Sequence, residues 1–385
     1  MSYLKSAITI LFLVLLAACS RAPNNEGTTN QRVSEAEQRR VLAEESGLFQ
    51  PVVVRELLDC QSSADMTVHC GYKNPEDLVA LPGGKYLVVS EMAEFLTDAP
   101  GTLSLLNLDS GEREPLTVAW SPPASPRGDA TCPAPDSAAF SPHGIDLTRL
   151  VDGTLQLLVV NHGKRESVEF FEVTQSDENW QLAWQGCAIP PGDPFINDVA
   201  ALEDGGFLVT HMWDKATAFD EVARKLLSAE PTGWVYEWRR EQGFNKVPGS
   251  DDLMPNGIAV SGDNTKIYVN IYIGNKTIKI DRSSGKREGE FTVQQPDNIT
   301  VDDEGNLWVA SHKNDPIAQT CALVTEGPCL LPYEVIKADP ETMQAEVFLS
   351  QDGAPMGYAT VALKVGDRLF MGSAHGDRVV SSPAH

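Results

Sequence analysis

Several catalytic signatures are missing from this sequence, and each absence removes a class of chemistry. No Cys-x-x-Cys pair occurs, which argues against a zinc–thiolate centre. No Gly-x-Ser-x-Gly elbow is present, which argues against a serine hydrolase of that type. No Gly-x-Gly-x-x-Gly follows a strand and there is no P-loop, so the phosphate-cradling loops of nucleotide enzymes are lacking. Basic residues are scarce: 30 Lys and Arg stand against 54 Asp and Glu, a net charge of -24 over 385 residues. Such a balance excludes the basic surface that nucleic acid demands. Long apolar runs are lacking too. The N-terminal one, residues 8–18, is about 11 residues long, too short to span a bilayer as a helix.

What is there instead is a repeat. Pro255-Asn256-Gly257-Ile258-Ala259-Val260 places a bare amide before an apolar strand, turns at Ser261-Gly262-Asp263-Asn264, and returns through Ile267-Tyr268-Val269-Asn270. Pro296-Asp297-Asn298-Ile299 leads through Asp303-Glu304-Gly305 into Leu307-Trp308-Val309-Ala310 in the same way. Four more units begin at Glu76-Asp77, His143-Gly144-Ile145-Asp146, Asn197-Asp198 and Ala359-Thr360. The Gly- and Asp-rich turns suit hairpins, since those residues reach positive φ cheaply. Six hairpins at intervals of roughly 40 to 70 residues mark an all-β chain, a six-bladed β-propeller with one hairpin at the heart of each blade. The starts of the innermost strands would converge on a central tunnel.

The domain plan follows. Residues 1–18 read as a signal peptide with Lys5 in its basic part, and Leu16-Ala17-Ala18-Cys19 looks like a bacterial lipobox with acylation at Cys19. Ser20 after the cysteine points by analogy to a lipid-anchored protein of the cell envelope, at the outer membrane and facing the periplasm. Residues 19–48 are polar and poor in aromatics, as in a flexible tether. Residues 49–385 form the propeller. Six further cysteines in an exported chain imply disulfides; Cys60–Cys70 and Cys321–Cys329 are favoured as local loops, leaving Cys132 with Cys187, among fifteen connectivities. In residues 213–230, Phe219, Val222, Ala223, Leu226 and Leu227 fall at helical spacing. This predicts a small amphipathic helix near the tunnel mouth, as a packing element or a lid.

Five converging side chains, Glu76, Asn197, Asn256, Asp297 and Asn298, offer only oxygen donors, the set Ca²⁺ prefers. Any one alone reads as ordinary turn chemistry; five in register across a repeat read as a site. Asp77 and Asp198, one residue on, point the other way along their strands and suggest a second, deeper Ca²⁺ site. His143 starts one inner strand and His162 ends its partner, so the hairpin brings two imidazoles together, one fit to act as general base. His312 ends another inner hairpin and is expected to face the pocket. His211, followed by Met212 and Trp213, has a similar position and a weaker case.

These residues, in this order over residues 59–380, resemble the paraoxonase/arylesterase family, within the wider gluconolactonase-like six-bladed propellers. The resemblance implies a catalytic Ca²⁺ held by Glu76, Asn197, Asn256, Asp297 and Asn298. It also implies a structural Ca²⁺ held by Asp77, Asp198 and the carbonyl of Ile145, and a His143–His162 dyad. It points to Ca²⁺-assisted hydrolysis of a small-molecule ester or lactone, with His143 drawing a proton from water. A sugar lactonase of the gluconolactonase type, or a non-catalytic ligand-binding propeller of the envelope, are the other classes the sequence admits. Animal members of the family tie the propeller ends with a disulfide. Here nothing after Cys329 can pair with Cys60 or Cys70, so closure must rest on strand pairing or on a different disulfide.

Overall fold

Each apolar run pairs with its return strand, and two further strands complete a four-stranded blade. The computed structural model describes residues 50–51, 59–92, 99–176, 179–314, 319–321 and 327–385. The leader, Cys19 and the tether lie outside the described residues. Six blade sheets are present among the described residues, besides a two-stranded parallel pair of Gln50–Pro51 with Gln319–Thr320, with inner strands Pro75–Ala80, Pro142–Arg149, Pro194–Ala201, Pro255–Val260, Pro296–Val301 and Ala359–Val365. We number the blades 1 to 6 in that order. Each inner strand touches the inner strands of both neighbouring blades, so the six close a ring.

The physical reason for blade stacking is visible in alternation. In blade 2, Leu157 and Val159 belong to the apolar cluster shared with blade 1, while Leu158 and Val160 belong to the cluster shared with blade 3. A strand buried on both faces reads as a continuous apolar run, which is why these strands stand out in the sequence. Equivalent clusters fill every other gap, through Ile258 and Ile267, Ile299 and Leu307, Ala362 and Leu369, and Leu78 with Phe370. Each buried Leu, Ile, Val or Phe among them contributes about 1.5–3 kcal/mol.

Closure rests on strand pairing. Thr67–Cys70 forms the outer strand of blade 6, antiparallel to Arg378–Pro383, with Val68 opposite Val380. The Cys60–Cys70 disulfide sits beside this seam and does not cross it. Cys132–Cys187 and Cys321–Cys329 also form as expected. Blade 2 carries two extra strands, Thr117–Ala119 and Arg127–Gly128, parallel to its outer strand Asn179–Ala188. Cys132–Cys187 fastens the connection that leads from them to His143.

Among the described residues the one helix is Phe219–Ser228. It is shorter than the expected stretch, because Trp213 belongs to the strand Phe207–Asp214. Val222 is buried and Leu226 packs on Phe195, Met212, Trp213 and Met254. Leu227, expected on the apolar face, is exposed.

Candidate active site

Four blades prepare their tunnel-end residues by the same backbone device. Asn74, Met254, Gln295 and Tyr358 all have left-handed backbone, with φ of 50°, 54°, 38° and 53°. A non-glycine residue pays roughly 1–2 kcal/mol for that conformation. In blades 1, 4 and 5 a proline follows, and then Glu76, Asn256 or Asp297. The ladder to the next strand then breaks register between Pro75 and Asp77, Pro255 and Ile258, and Pro296 and Ile299. Blade 3 breaks between Ile196 and Val199. Such bulges free side chains from strict alternation and re-aim them. Strained backbone of this kind concentrates at functional sites.

The re-aimed side chains meet. Asn298 Nδ2 donates to Glu76 Oε1 at 2.8 Å, Asn197 Nδ2 lies 3.2 Å from His143 Nε2, and Asn256 donates to the Asp297 carboxylate. Every asparagine thus spends its NH₂ on a neighbour. Asn197 Oδ1, Asn256 Oδ1, Asn298 Oδ1 and Glu76 Oε2 are buried with no hydrogen-bond partner. Four partnerless acceptors from four blades could hold a cation, which would relieve the roughly 1–3 kcal/mol that an unpaired buried acceptor costs. Among the described residues no three His, Cys, Asp or Glu side chains group as a metal site; here amide oxygens complete the donor set, which suits a hard cation such as Ca²⁺. Electrostatics agree. Burial, then the charges of Asp77 and Asp297, push the Glu76 carboxyl well above its ordinary value. Burial pushes Asp297 up to about 7.

Asp77 and Asp198 sit differently. Asp77 accepts the amides of Leu78 and Ile145, at 2.8 and 2.7 Å, and Asp198 accepts those of Val199 and Ile258, both at 2.8 Å. They therefore staple blade 1 to blade 2 and blade 3 to blade 4. Both line a cavity of about 360 Å³ with Ile145, Asp146 and Ile299. Burial raises Asp77 to about 7 and raises Asp198 well above its usual range. Each carboxylate oxygen retains a second lone pair, so these residues fit a cation without the orphaned atoms that mark the first set.

Two glycines let the strands come close enough. A Cβ on Gly144 would lie 2.5 Å from Asp198 Oδ1 and 2.6 Å from its Cα; one on Gly257 would lie 2.3 Å from the Asp297 carbonyl. No side chain fits between blades 2 and 3, or 4 and 5, at these points.

His143 and His162 are edge to face, with ring centroids 4.9 Å apart at 78°. His143 Nε2 is 3.6 Å from Glu76 Oε1. Burial, and then the neighbouring His162, hold the His143 imidazole well below its usual value, so it is neutral. The His162 amide donates to Ser141 O at 3.0 Å. The amides of Tyr272 and His312 make the same bond to Met254 O and Gln295 O, at 3.0 and 3.2 Å. His162, Tyr272 and His312 are thus the same position in three blades, which is why all three border this cluster of oxygens.

His312 stacks on Tyr358 at 3.7 Å, bonds Tyr272 Oη through Nδ1 at 2.9 Å, and brings Nε2 to 3.5 Å from Asp297. His162 stacks on Phe195, which stacks on Trp213; Met212 joins that cluster. His211 stands apart, packed in blade 3 against Trp234 and Tyr236, and burial lowers it to about 4. The sequence reading missed Glu166, Lys215, Tyr272 and Tyr358. Glu166 Oε2 accepts from His162 Nδ1 at 2.9 Å and Lys215 pairs with the same carboxylate. An acidic residue four positions after a histidine, across a hairpin turn, was the only available signal.

A family model described as Arylesterase matches residues 71–379. Serum paraoxonase/arylesterase 1 of Mus musculus is 27% identical over 250 residues, 62% of this chain and 66% of that protein. Serum paraoxonase/lactonase 3 of Homo sapiens is 27% identical over 257 residues, again 62% and 66%. The chain thus spans just under two-thirds of the length of these relatives. A solved gluconolactonase from Xanthomonas campestris superposes with a TM-score of 0.48 at 16% identity, over 83% of this chain and 89% of that one.

Proposed function

The chain belongs to the arylesterase family, and from that premise we propose that it is a calcium-dependent hydrolase of esters or lactones. One observation carries the reading: four buried, partnerless oxygens converge beside a neutral histidine whose Nε2 faces them. Glu76, Asn197, Asn256, Asp297 and Asn298 would hold the catalytic ion. Asp77, Asp198 and the Ile145 carbonyl would hold a second, structural one. When bound, the catalytic ion supplies Lewis-acid polarisation of the substrate carbonyl and charge stabilisation of the oxyanion.

The chain's own residues do the rest. His143 is unprotonated at Nε2, since Asn197 directs an N–H toward that atom; when a water replaces that N–H, Nε2 takes its proton as hydroxide adds to the carbonyl carbon. Collapse of the tetrahedral adduct breaks the bond to the leaving alkoxide, and His143 returns the proton to it. His162 orients His143. Phe195 and Trp213 behind the pair, with Tyr272 and Tyr358 opposite, favour an aryl or lipophilic acyl substrate over a polyhydroxylated one. The relatives' names, paraoxonase/arylesterase and paraoxonase/lactonase, point the same way. The lipobox adds a lipid anchor at Cys19 and an outer-membrane, periplasm-facing site; Cys19→Ser should move the protein to the soluble fraction, and a wild type already soluble would refute the anchor.

The test is turnover of phenyl acetate, a δ-lactone, an acyl-homoserine lactone and gluconolactone by the protein starting at Gln31, with Ca²⁺ and after chelation. Ca²⁺-dependent cleavage of the lipophilic members is the expected result. No turnover of any, with Ca²⁺ still raising the melting temperature, would make the protein a binding propeller instead.

A further inference from the structure

We propose that Glu166 is a positioning residue of this site: its carboxylate fixes the tautomer of His162, and through it the orientation of His143. The inference rests on the reading of His143 as general base.

Glu166 lies in the turn between the strands Leu155–Asn161 and Ser167–Ser176 of blade 2. The turn is braced from inside by Asn161, whose Oδ1 accepts the amides of Ser141 and Gly163, both at 3.0 Å. The Glu166 side chain is 5% exposed. Its Oε2 accepts from His162 Nδ1 at 2.9 Å and from the Ile196 amide at 3.3 Å, and its Oε1 pairs with Lys215. Burial alone would raise this carboxyl, yet its contacts with His162 and Lys215 hold it below its ordinary value. It is therefore an anion with three donors around it. The other nearby cations are engaged elsewhere, Lys164 with Asp136 and Arg165 with Glu169.

An ionised carboxylate can only accept. His162 must then carry a proton on Nδ1, and the Nδ1–H tautomer leaves its lone pair on Nε2. That nitrogen is buried and partnerless. His143 presents the complement. Its Nε2 faces the Asn197 N–H, so its proton sits on Nδ1, which is also buried and partnerless. An acceptor and a donor without partners thus lie in two rings whose centroids are 4.9 Å apart. Glu166 and His162 are joined by a hydrogen bond; from His162 to His143 the order is carried by an acceptor and a donor that both lack partners and stand in adjacent rings, so the chain toward the base atom is complementary in direction. Phe195, stacked 4.7 Å from the His162 ring at 18°, sets the ring plane; it carries no hydrogen-bonding group and cannot choose the tautomer. Without Glu166 the Nε2–H form of His162 would set donor against donor.

The experiment combines ¹⁵N-histidine NMR with kinetics on the calcium-loaded protein. In the wild type, His162 should show a protonated Nδ1 and an unprotonated Nε2, with a downfield imidazole proton that Glu166→Gln removes. Loss of the hydrogen-bond partner that orients a metal-ligating histidine costs about 10–100-fold, and the same scale applies here by analogy. Glu166→Gln should lower kcat by that factor with KM within about threefold, at an unchanged calcium affinity, and Glu166→Asp should fall between the two. A wild-type spectrum with the proton on Nε2 of His162 overturns the proposal. So does a Glu166→Gln kcat within twofold of wild type. If the wild type hydrolyses none of the substrates, the hydrolase reading fails by itself, and the spectrum of the wild-type protein still decides the role of Glu166.

Discussion

Removing calcium should destabilise the propeller, and by more at high pH than at low. The partnerless oxygens of Glu76, Asn197, Asn256 and Asn298 each cost about 1–3 kcal/mol when left unpaired. Together they set an upper bound of about 4–12 kcal/mol on what a cation relieves, reduced by any water that enters. A single site saturated 100-fold above its Kd stabilises by about 2.7 kcal/mol. For a propeller of about 320 residues, an unfolding entropy of roughly 2.1 cal/mol/K per residue turns that into about 4 °C. The second site, at Asp77 and Asp198, would roughly double the shift. The pH dependence has a definite sign. In the calcium-free protein Asp297 is raised to about 7 and Glu76 well above its ordinary value. The native state then binds more protons than the unfolded chain, whose carboxyls titrate near 4. The stability from this proton uptake is fully present below about pH 4 and is lost as pH rises through about 7. Calcium requires the ionised ligands, so its affinity rises over the same range. Differential scanning fluorimetry with and without chelator at pH 5.5 and pH 8 measures both effects. A calcium-induced shift that is absent, or no larger at pH 8 than at pH 5.5, would refute the assignment of these carboxylates as ligands.

His143→Gln should lower kcat about 10²–10⁴-fold if His143 is the sole base, with calcium still raising the melting temperature; a several-fold loss in a steady-state assay would assign the proton transfer elsewhere. Gly257→Ala puts a Cβ 2.3 Å from the Asp297 carbonyl, and overpacking of this kind costs about 1–3 kcal/mol. Calcium titration should show weakened binding, because the shift falls on two ligands, whereas Gly262→Ala, where no atom lies within 4 Å of the new Cβ, should leave affinity intact. The Cys132–Cys187 disulfide spans 55 residues, so its loss should cost up to about 4 kcal/mol by loop entropy. Melting of the Cys132→Ser/Cys187→Ser protein reads this directly, and an unchanged midpoint would mean that the strand pairing of Thr117–Ala119 and Arg127–Gly128 already holds the connection.

The sequence determined the fold class and the blade count, because a strand buried on both faces must be apolar throughout and its turn must be Gly- and Asp-rich. Leu157 to Val160 could be found by eye for that reason. It also exposed the oxygen-donor residues, since a carboxylate or amide between a proline and an apolar strand has no packing rationale of its own. Cysteine spacing favoured the two local disulfides among fifteen connectivities, and the structure decided the pairing. Tertiary structure decided what short-range pattern cannot carry. Strict alternation would send Asp297 and Asn298 to opposite sides; register breaks, made possible by left-handed backbone at Gln295, bring both into the site. No local signal distinguishes His211, which packs into its own blade, from His312, which overhangs the ligands, because the difference lies in which neighbouring ring each meets. Glu166 and Lys215 are 49 residues apart and become partners only when blades 2 and 3 stack. The donors to the site are written in the chain, but the supports that aim them come from contacts between blades, and those exist only after the ring has closed.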